Sequence, residues 1–333
     1  MGRVIVVATG GTIASRRGPS GVLEPTTSDA FAAGLDIDVI ELMAVDSSLL
    51  TPHDWARIRS AVAVALQRGA DGVVITHGTD TLEETALWLE LTYDGSAPVV
   101  LTGAATGVDA NDYDGIKNLK DSLTLAGNPA ARDLGVLICF GGAVHPALGT
   151  TKIDPSSTRF DSIPARPRDP REYALDGAAM GGEAVDVFGG VDPIGFVADG
   201  QFVQRNAKQR PVLMASAPKA SPRVDIVCAA YVGADGVVVD AYVKAGARGL
   251  VVEAFGECGA TPSLIEAVRR ARQAEVVVVV CSRTAGASNG MVKHLAGEGA
   301  LVSRRLRPSQ ARILLMAALA SDAPVAGVIS RWG

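Results

Sequence analysis

The sequence predicts an α/β protein of two domains, a larger N-terminal one and a smaller C-terminal one, each built on a parallel sheet. Three observations predict it. Short β-branched runs closed by glycine alternate with stretches of helical apolar spacing, the pattern of repeated strand–helix units. A chain of 333 residues is long enough for a large core and two domains. A proline-bearing stretch with Pro211, Pro218 and Pro222 divides the alternation. It implies an N-terminal domain over 1–204, a linker over 205–222 and a C-terminal α/β domain over 223–333.

Val4 to Ala8 is a short apolar run that reads as a buried strand. Gly10 and Gly11 stop it, and Thr12 follows at once, where open α/β sheets bind ligands. Ser15 to Gly21 is rich in turn formers and charge and reads as an exposed loop. Asp38 to Met43 is a second strand pattern, and Thr51-Pro52 opens a helix over about 54–68. Gly72 to Thr76 is a strand that ends, like the first, in a Gly-Thr pair, Gly78-Thr79. Leu82 to Leu91 has helical spacing, and Asp80 with Glu83, or Thr81 with Glu84, fits a capping box. Pro98 to Ala105 is a third core strand, Gly107 to Gly115 a loop, Ile116 to Ala126 a helix and Leu134 to Phe140 a fourth strand. The stretch from Pro155 to Gly182 is polar and proline-bearing, and Gly195 to Val203 reads as a hairpin around Asp199-Gly200. In the second half Val224–Cys228, Gly249–Ala254 and Val276–Cys281 are strands. Thr261-Pro262 caps a helix, Pro308 to Ala320 is a closing helix, and right-handed crossovers are expected.

Composition excludes several functions. A net charge of −5 gives no general attraction to nucleic acid or anionic membrane. The only basic cluster, Arg304-Arg305-Leu306-Arg307, reads as a solvated face. Cys139, Cys228, Cys258 and Cys281 form no Cys-x-x-Cys pair and read as small buried hydrophobes. The four histidines have no metal spacing, so neither metal nor cofactor is expected. The glycines after the first strand lack the Gly-x-Gly-x-x-Gly spacing of a dinucleotide site, and no P-loop lysine follows. Absence of a leader pattern favours a cytoplasmic location.

The polar residues gathered at strand ends exceed what helix caps require and suggest catalysis. A positioned hydroxyl splits amide hydrolysis into two steps through an acyl-enzyme, and a base must take its proton. Thr12 or Thr79 is the candidate nucleophile, with Asp80 the acid at the same corner as Thr79. Backbone N–H groups at the glycine turns are candidate oxyanion donors. Ser47 and Ser48 could equally serve only in a loop hydrogen bond.

Ala8-Thr-Gly-Gly-Thr-Ile-Ala14 and Ile75-Thr-His-Gly-Thr-Asp-Thr-Leu-Glu-Glu-Thr85 resemble, in order and separation, the two signature motifs of the bacterial L-asparaginase/glutaminase family. Pro98 to Ala104, Asp114-Gly115 with Asn118-Leu119, Thr151-Lys152 and Pro308 to Arg312 extend the resemblance over nearly the whole chain. It implies an N-terminal parallel-sheet sandwich domain and a flavodoxin-like C-terminal domain. It also implies Thr12 as nucleophile, with Thr79, Asp80 and Lys152 as the proton relay. Gly11, Ser47, Ser48, Gly78 and Ala104 would contact the substrate, Ser47 aligning best with the serine that holds its α-carboxylate. The implied activity is hydrolysis of L-asparagine to L-aspartate and ammonia by a homo-oligomer, dimer or tetramer, without cofactor.

The chain departs from the family pattern in three places. No tyrosine precedes Tyr93, so the lid after Thr12 lacks the family's tyrosine, and Val22 and Leu23 stand roughly in its place. Ala105-Thr106 replaces the usual Met-Arg pair. No glutamate lies between Val276 and Gly297, where the family supplies one to a neighbouring subunit's site, and Asn289 is the nearest amide there. Alternatives are a glutaminase-preferring homologue, an asparaginase-fold binding or regulatory protein with weak or no turnover, and the ammonia-generating subunit of a tRNA-dependent amidotransferase.

Overall fold

A computed structural model describes residues 2–20, 22–32, 35, 37–152, 188–189, 192–214, 221–256, 258–284 and 293–333. The expected polar stretch over 155–182, and Asn289, lie outside these residues. The chain forms two compact units, Met1–Arg210 and Pro211–Gly333.

The first unit runs β1 (Val4–Gly10), β2 (Ser15–Arg17), β3 (Leu23–Pro25), α1 (Asp29–Ala32), β4 (Asp38–Val45), α2 (Pro52–Gln67), β5 (Gly72–Thr76) and α3 (Leu82–Thr92). It continues through β6 (Val99–Thr102), α4 (Gly115–Ala126), β7 (Val136–Phe140), β8 (Ala143–Pro146), β9 (Thr151–Lys152), β10 (Phe188–Gly189), β11 (Gly195–Ala198) and β12 (Gln201–Gln204). Eight strands make one sheet in the order β12-β11-β8-β7-β6-β5-β1-β4. The five from β4 to β7 are parallel, and β8, β11 and β12 join antiparallel. The sheet is therefore mixed, with a parallel centre. The loop expected after Thr12 is itself a small hairpin, with Ser15 opposite Pro25 and Arg17 opposite Leu23.

Alternate residues of the parallel strands face two cores. Ile5, Val7, Val73 and Ile75 pack with Ile58 and Val62 of α2 and Leu82 and Leu89 of α3. Val6, Ala8, Val74 and Val100 pack with Phe31 of α1 and Leu119 and Leu125 of α4. This alternation is what a period of two dictates for a sheet covered on both sides. It also fixes the crossovers. From β1 the chain steps outward to β4 by way of α1, then back past β1 to β5 by way of α2, on the opposite face. The step from β5 to β6 uses the α2 face again, so these three share one hand. The step from β6 to β7 runs in the same direction but uses the α1 face, through α4, and so has the opposite hand. Since nearly all such crossovers are right-handed, β6-α4-β7 is a left-handed exception.

The second unit holds β13 (Val224–Cys228), α5 (Val237–Lys244), β14 (Gly249–Ala254), α6 (Pro262–Gln273), β15 (Val277–Ser282), α7 (Lys293–Gly297), β16 (Leu301–Ser303), α8 (Pro308–Ala320) and α9 (Val325–Trp332). Its four strands are parallel and stand in chain order. Val239 of α5 and Leu264 and Val268 of α6 share one core with Val227, Leu250 and Val252. The cap expected at Thr261 is formed, its hydroxyl accepting from Leu264 N. All four cysteines are free, but only Cys139, Cys258 and Cys281 are buried. Cys228 is exposed, contrary to expectation, because it ends β13, an edge strand of its sheet.

Candidate active site

β1 and β5 are adjacent and in register from Val4 opposite Gly72 to Ala8 opposite Thr76. The connection leaving β1 goes one way across the sheet and that leaving β5 goes the other. Their carboxyl ends therefore flank a topological switch point, the place where open α/β sheets take ligands. Gly10 and Gly11 have φ of +103° and +83°, a region that favours glycine. A Cβ on Gly11 would lie 2.3 Å from the Gly78 nitrogen, so the two Gly-Thr loops touch backbone to backbone. Thr12 opens the 3₁₀ turn Thr12–Ala14, which Ala14 N closes on Gly11 O at 3.0 Å. Thr12 is half-buried, and among the described residues its hydroxyl makes no hydrogen bond.

Lys152 reaches this edge from β9. Its Nζ donates to Thr79 Oγ1 at 2.9 Å and to Asp80 Oδ1 at 2.5 Å. The lysine side chain is 19% exposed and the aspartate 63%, so the ion pair has a sheltered end and an open end. The lysine strand is anchored in turn by Glu83, whose carboxylate accepts the Lys152 backbone N–H. Glu83 is buried in the first turn of α3. This overturns the expected capping box. Thr81 is the N-cap but its side chain makes no cap; its hydroxyl instead donates to Ser47 O at 2.8 Å. Sequence reasoning gave Glu83 only a capping role; the available signal was two acids, Glu83 and Glu84, where one box needs one.

Ser47 is buried, and a Cβ on Gly78 would stand 2.5 Å from its hydroxyl oxygen. Ser47 Oγ therefore overhangs the second glycine, and among the described residues it has no hydrogen bond of its own. Ser48 differs. Its N–H and hydroxyl both donate to Asp46 Oδ1, at 2.8 and 2.6 Å, which closes the turn. These bonds hold the Asp46 carboxyl below the usual carboxylate range. Ala104 is fully buried just beyond β6. A Cβ on the preceding Gly103 would lie 2.5 Å from His77 O and 3.3 Å from the Thr79 methyl, which brings the end of β6 against the Thr79 loop.

A buried chain of hydrogen bonds sets the Gly78 peptide. Trp55 Nε1 donates to Thr85 Oγ1 at 3.0 Å, and Thr85 Oγ1 lies 2.9 Å from His77 Nε2. His77 Nδ1 is 2.7 Å from Gly78 O. A carbonyl only accepts, so Nδ1 carries the ring proton and Nε2 receives the Thr85 hydroxyl. Burial pushes the imidazole down to about 4, against the opposing pull of the Gly78 carbonyl, so the ring is neutral at pH 7. Sequence reasoning did not single out Trp55, His77 or Thr85 as a group.

Among the described residues no group of three or more His, Cys, Asp or Glu is placed to hold a metal ion. None of their helices is long and apolar enough to cross a membrane. Of the stretch between Val276 and Gly297, where the family supplies a residue to a neighbouring subunit's site, residues 285–292 lie outside the described set.

Comparison with known proteins now bears on this geometry. The family model for the N-terminal domain of asparaginase matches residues 3–171, and that for the glutaminase/asparaginase C-terminal domain matches 223–328. A probable L-asparaginase of Deinococcus radiodurans is 37% identical over 158 residues, covering 46% of this chain and 49% of the relative. L-asparaginase 2 of Bacillus subtilis is 31% identical over 252 residues, covering 75% of this chain and 60% of the relative. The chain thus spans about half to three-fifths of the length of these curated relatives. The crystal structure of a probable cytoplasmic L-asparaginase from Campylobacter jejuni superposes with a TM-score of 0.82 at 26% identity, covering 100% of this chain and 99% of that one. With both domain models matched in order, the chain belongs to the asparaginase family.

Proposed function

We propose that this protein hydrolyses L-asparagine to L-aspartate and ammonia through an acyl-enzyme on Thr12. The observation that carries the reading is the Lys152–Thr79–Asp80 cluster, set beside a threonine whose own hydroxyl is uncommitted. Thr12 Oγ1 attacks the side-chain amide carbon, and N–H groups at the two glycine turns take the developing negative charge. The nucleophile's proton passes toward Nζ of Lys152 as Lys152 yields one to Asp80, and then goes to the leaving ammonia. Thr79, held by Nζ at 2.9 Å, orients the water that releases aspartate. Ser47 receives the substrate's α-carboxylate. Asp80 uses its second, open oxygen for the α-ammonium while the first stays on Lys152. Gly11, Gly78 and Ala104 shape the floor, and Ser48 acts through the turn it makes with Asp46.

The same reading takes residues 1–204 as the catalytic domain, 205–222 as a linker and 223–333 as the second domain. It makes the protein a cytoplasmic homo-oligomer. Support is the family pattern and, for location, the Campylobacter jejuni protein's description as cytoplasmic.

Ammonia release from L-asparagine and L-glutamine, wild type against Thr12→Ala, tests it. Expected is release from asparagine that falls about 10³-fold or more in the variant while the fold is kept. Retained release would remove Thr12 from the nucleophile's role. Wild-type protein that folds and releases nothing from either amide would overturn the enzyme reading.

A further inference from the structure

Thr12 has no side-chain hydrogen bond among the described residues, so its aim is set by its backbone turn. That turn is gripped from outside by a strap, residues 105–114, between β6 and α4. Asp114 closes the strap on itself: its carboxylate accepts Ala105 N at 3.0 Å, Thr106 N at 3.3 Å and Asn118 Nδ2 at 2.9 Å. Asn118, buried in α4, ties this knot to the sheet by donating to Gly103 O and accepting from Gly141 N. The strap then makes three bonds to the segment after β1. Tyr113 Oη donates to Ile13 O at 2.7 Å, Val108 N to Ser15 O at 3.0 Å, and Arg17 N to Asp109 Oδ2 at 3.1 Å.

The left-handed crossover makes this meeting possible. α1 and α4 cover the same face, so the chain leaving β1 and the chain leaving β6 both turn to that side. A right-handed β6-α4-β7 unit would carry the strap to the other face. Tyr113 is also seated. Its ring packs against the core that holds Ile13 and Leu119. A Cβ on Gly115 would lie 2.4 Å from its hydroxyl, so glycine there leaves the phenol its place. Burial, and then the neighbouring Asp114 carboxylate, raise the phenol above its ordinary range, so it remains a protonated donor.

We propose that Tyr113 is the positioning residue of Thr12: its hydroxyl, on the carbonyl of the very next residue, fixes the 3₁₀ turn that aims the threonine. This rests on the reading of Thr12 as nucleophile. Tyr113 is placed to act through the turn, so its loss should alter the aim of attack and leave substrate binding alone. A misplacement of about 1 Å costs on the order of 10²-fold in rate.

The test is Tyr113→Phe, which deletes one oxygen and keeps the ring. Two readouts are taken: steady-state kinetics with L-asparagine, and deuterium exchange of the Ala14 amide by mass spectrometry. Expected is a kcat roughly 10- to 100-fold lower, a KM within about twofold, and faster exchange at Ala14. A kcat unchanged from an active wild type, or a raised KM at unchanged kcat, overturns the proposal. If the wild type releases no ammonia, the amidohydrolase reading has failed separately. Exchange at Ala14 then decides whether Tyr113 holds the turn: faster exchange in the variant upholds it, and equal exchange overturns it.

Discussion

At Gly11 one hydrogen in place of a methyl decides whether the site can assemble. Its φ of +83° disfavours a side chain, and the Gly78 backbone occupies the space a Cβ would need. Gly11→Ala should therefore cost on the order of 1–3 kcal/mol and push the two Gly-Thr loops apart. Urea unfolding with the ammonia assay checks both; a variant of wild-type stability and rate would show the contact is slack. His77 makes a separate prediction with a definite sign. Folded, its imidazole titrates near 4 rather than 6.5, so the unfolded chain takes up its proton first on acidification. His77 therefore leaves stability flat above about pH 6.5 and reduces it by about 3 kcal/mol as pH falls from there to about 4. Comparing unfolding of wild type and His77→Gln at pH 7 and pH 4 cancels the other groups. An equal acid loss in both would refute the assignment. Thr12, Thr79 and Asp80 were legible because glycines and polar residues crowd at ends of apolar strands. Lys152 was visible only through the family resemblance. Glu83 and Tyr113 were not visible, since their partners lie 69 and 100 residues away and no local pattern records a contact at that distance.

The element that departs furthest from its sequence pattern is α3. Helical spacing there suggested one apolar face, yet the helix is buried almost all round, two of its acids included. Glu83 serves the Lys152 strand. Glu90 serves the chain leaving the first unit: Lys208 Nζ bonds its Oε1 at 2.5 Å and Leu134 O at 2.6 Å, and Val136 N donates to Oε2 at 2.7 Å. Lys208 lies in the stretch expected as linker, and its ammonium is only 1% exposed against a carboxylate at 0%. Burial lowers the lysine's affinity for its proton, and Glu90 restores part of it. Removing Lys208 leaves the buried Glu90 carboxylate, among the described residues, with only the Val136 N–H and a looser ion pair to Arg210 at 3.9 Å. Lys208→Met is expected to destabilise by about 3–5 kcal/mol, with part regained in Lys208→Met/Glu90→Leu, as a double-mutant unfolding cycle would measure. A single-variant loss below about 1 kcal/mol would mean water already reaches the pair. Turns show why some elements were readable and others not. Asp199-Gly200 announced its hairpin, with φ of 49° and 71°. Gly141-Gly142 builds the same kind of two-residue turn, φ 58° and 85°, between Phe140 and Ala143. That Gly-Gly signal was present in the sequence, and with it the antiparallel edge of the large sheet.

For the whole molecule, alternating strand and helix signals were enough for the α/β class, because buried parallel strands leave long apolar runs that little else explains. The hand of β6-α4-β7 was not readable. Helix α4 has an apolar face whichever side of the sheet it covers, and only the packing of Leu119 and Leu125 with Val100 and Leu137 selects the side. The second unit was readable almost strand by strand because its sheet follows chain order and needs no long-range rearrangement. Such a layout has physical consequences. Each strand pairs with the next one made, and β14 and β15 are buried between neighbours. Helices α5 and α6 close one core from within the unit. Helix α8 packs against β13 and β14, with the side chain of its buried Leu315 over Gly249. A fragment Pro211–Gly333 thus carries both layers its sheet requires. It is expected to fold alone, with one cooperative urea transition seen alike by far-UV circular dichroism and by the fluorescence of Trp332, its only tryptophan. A sloping, non-cooperative loss of signal, or transitions that differ between the two probes, would mean that the sheet needs the first unit to hold its shape.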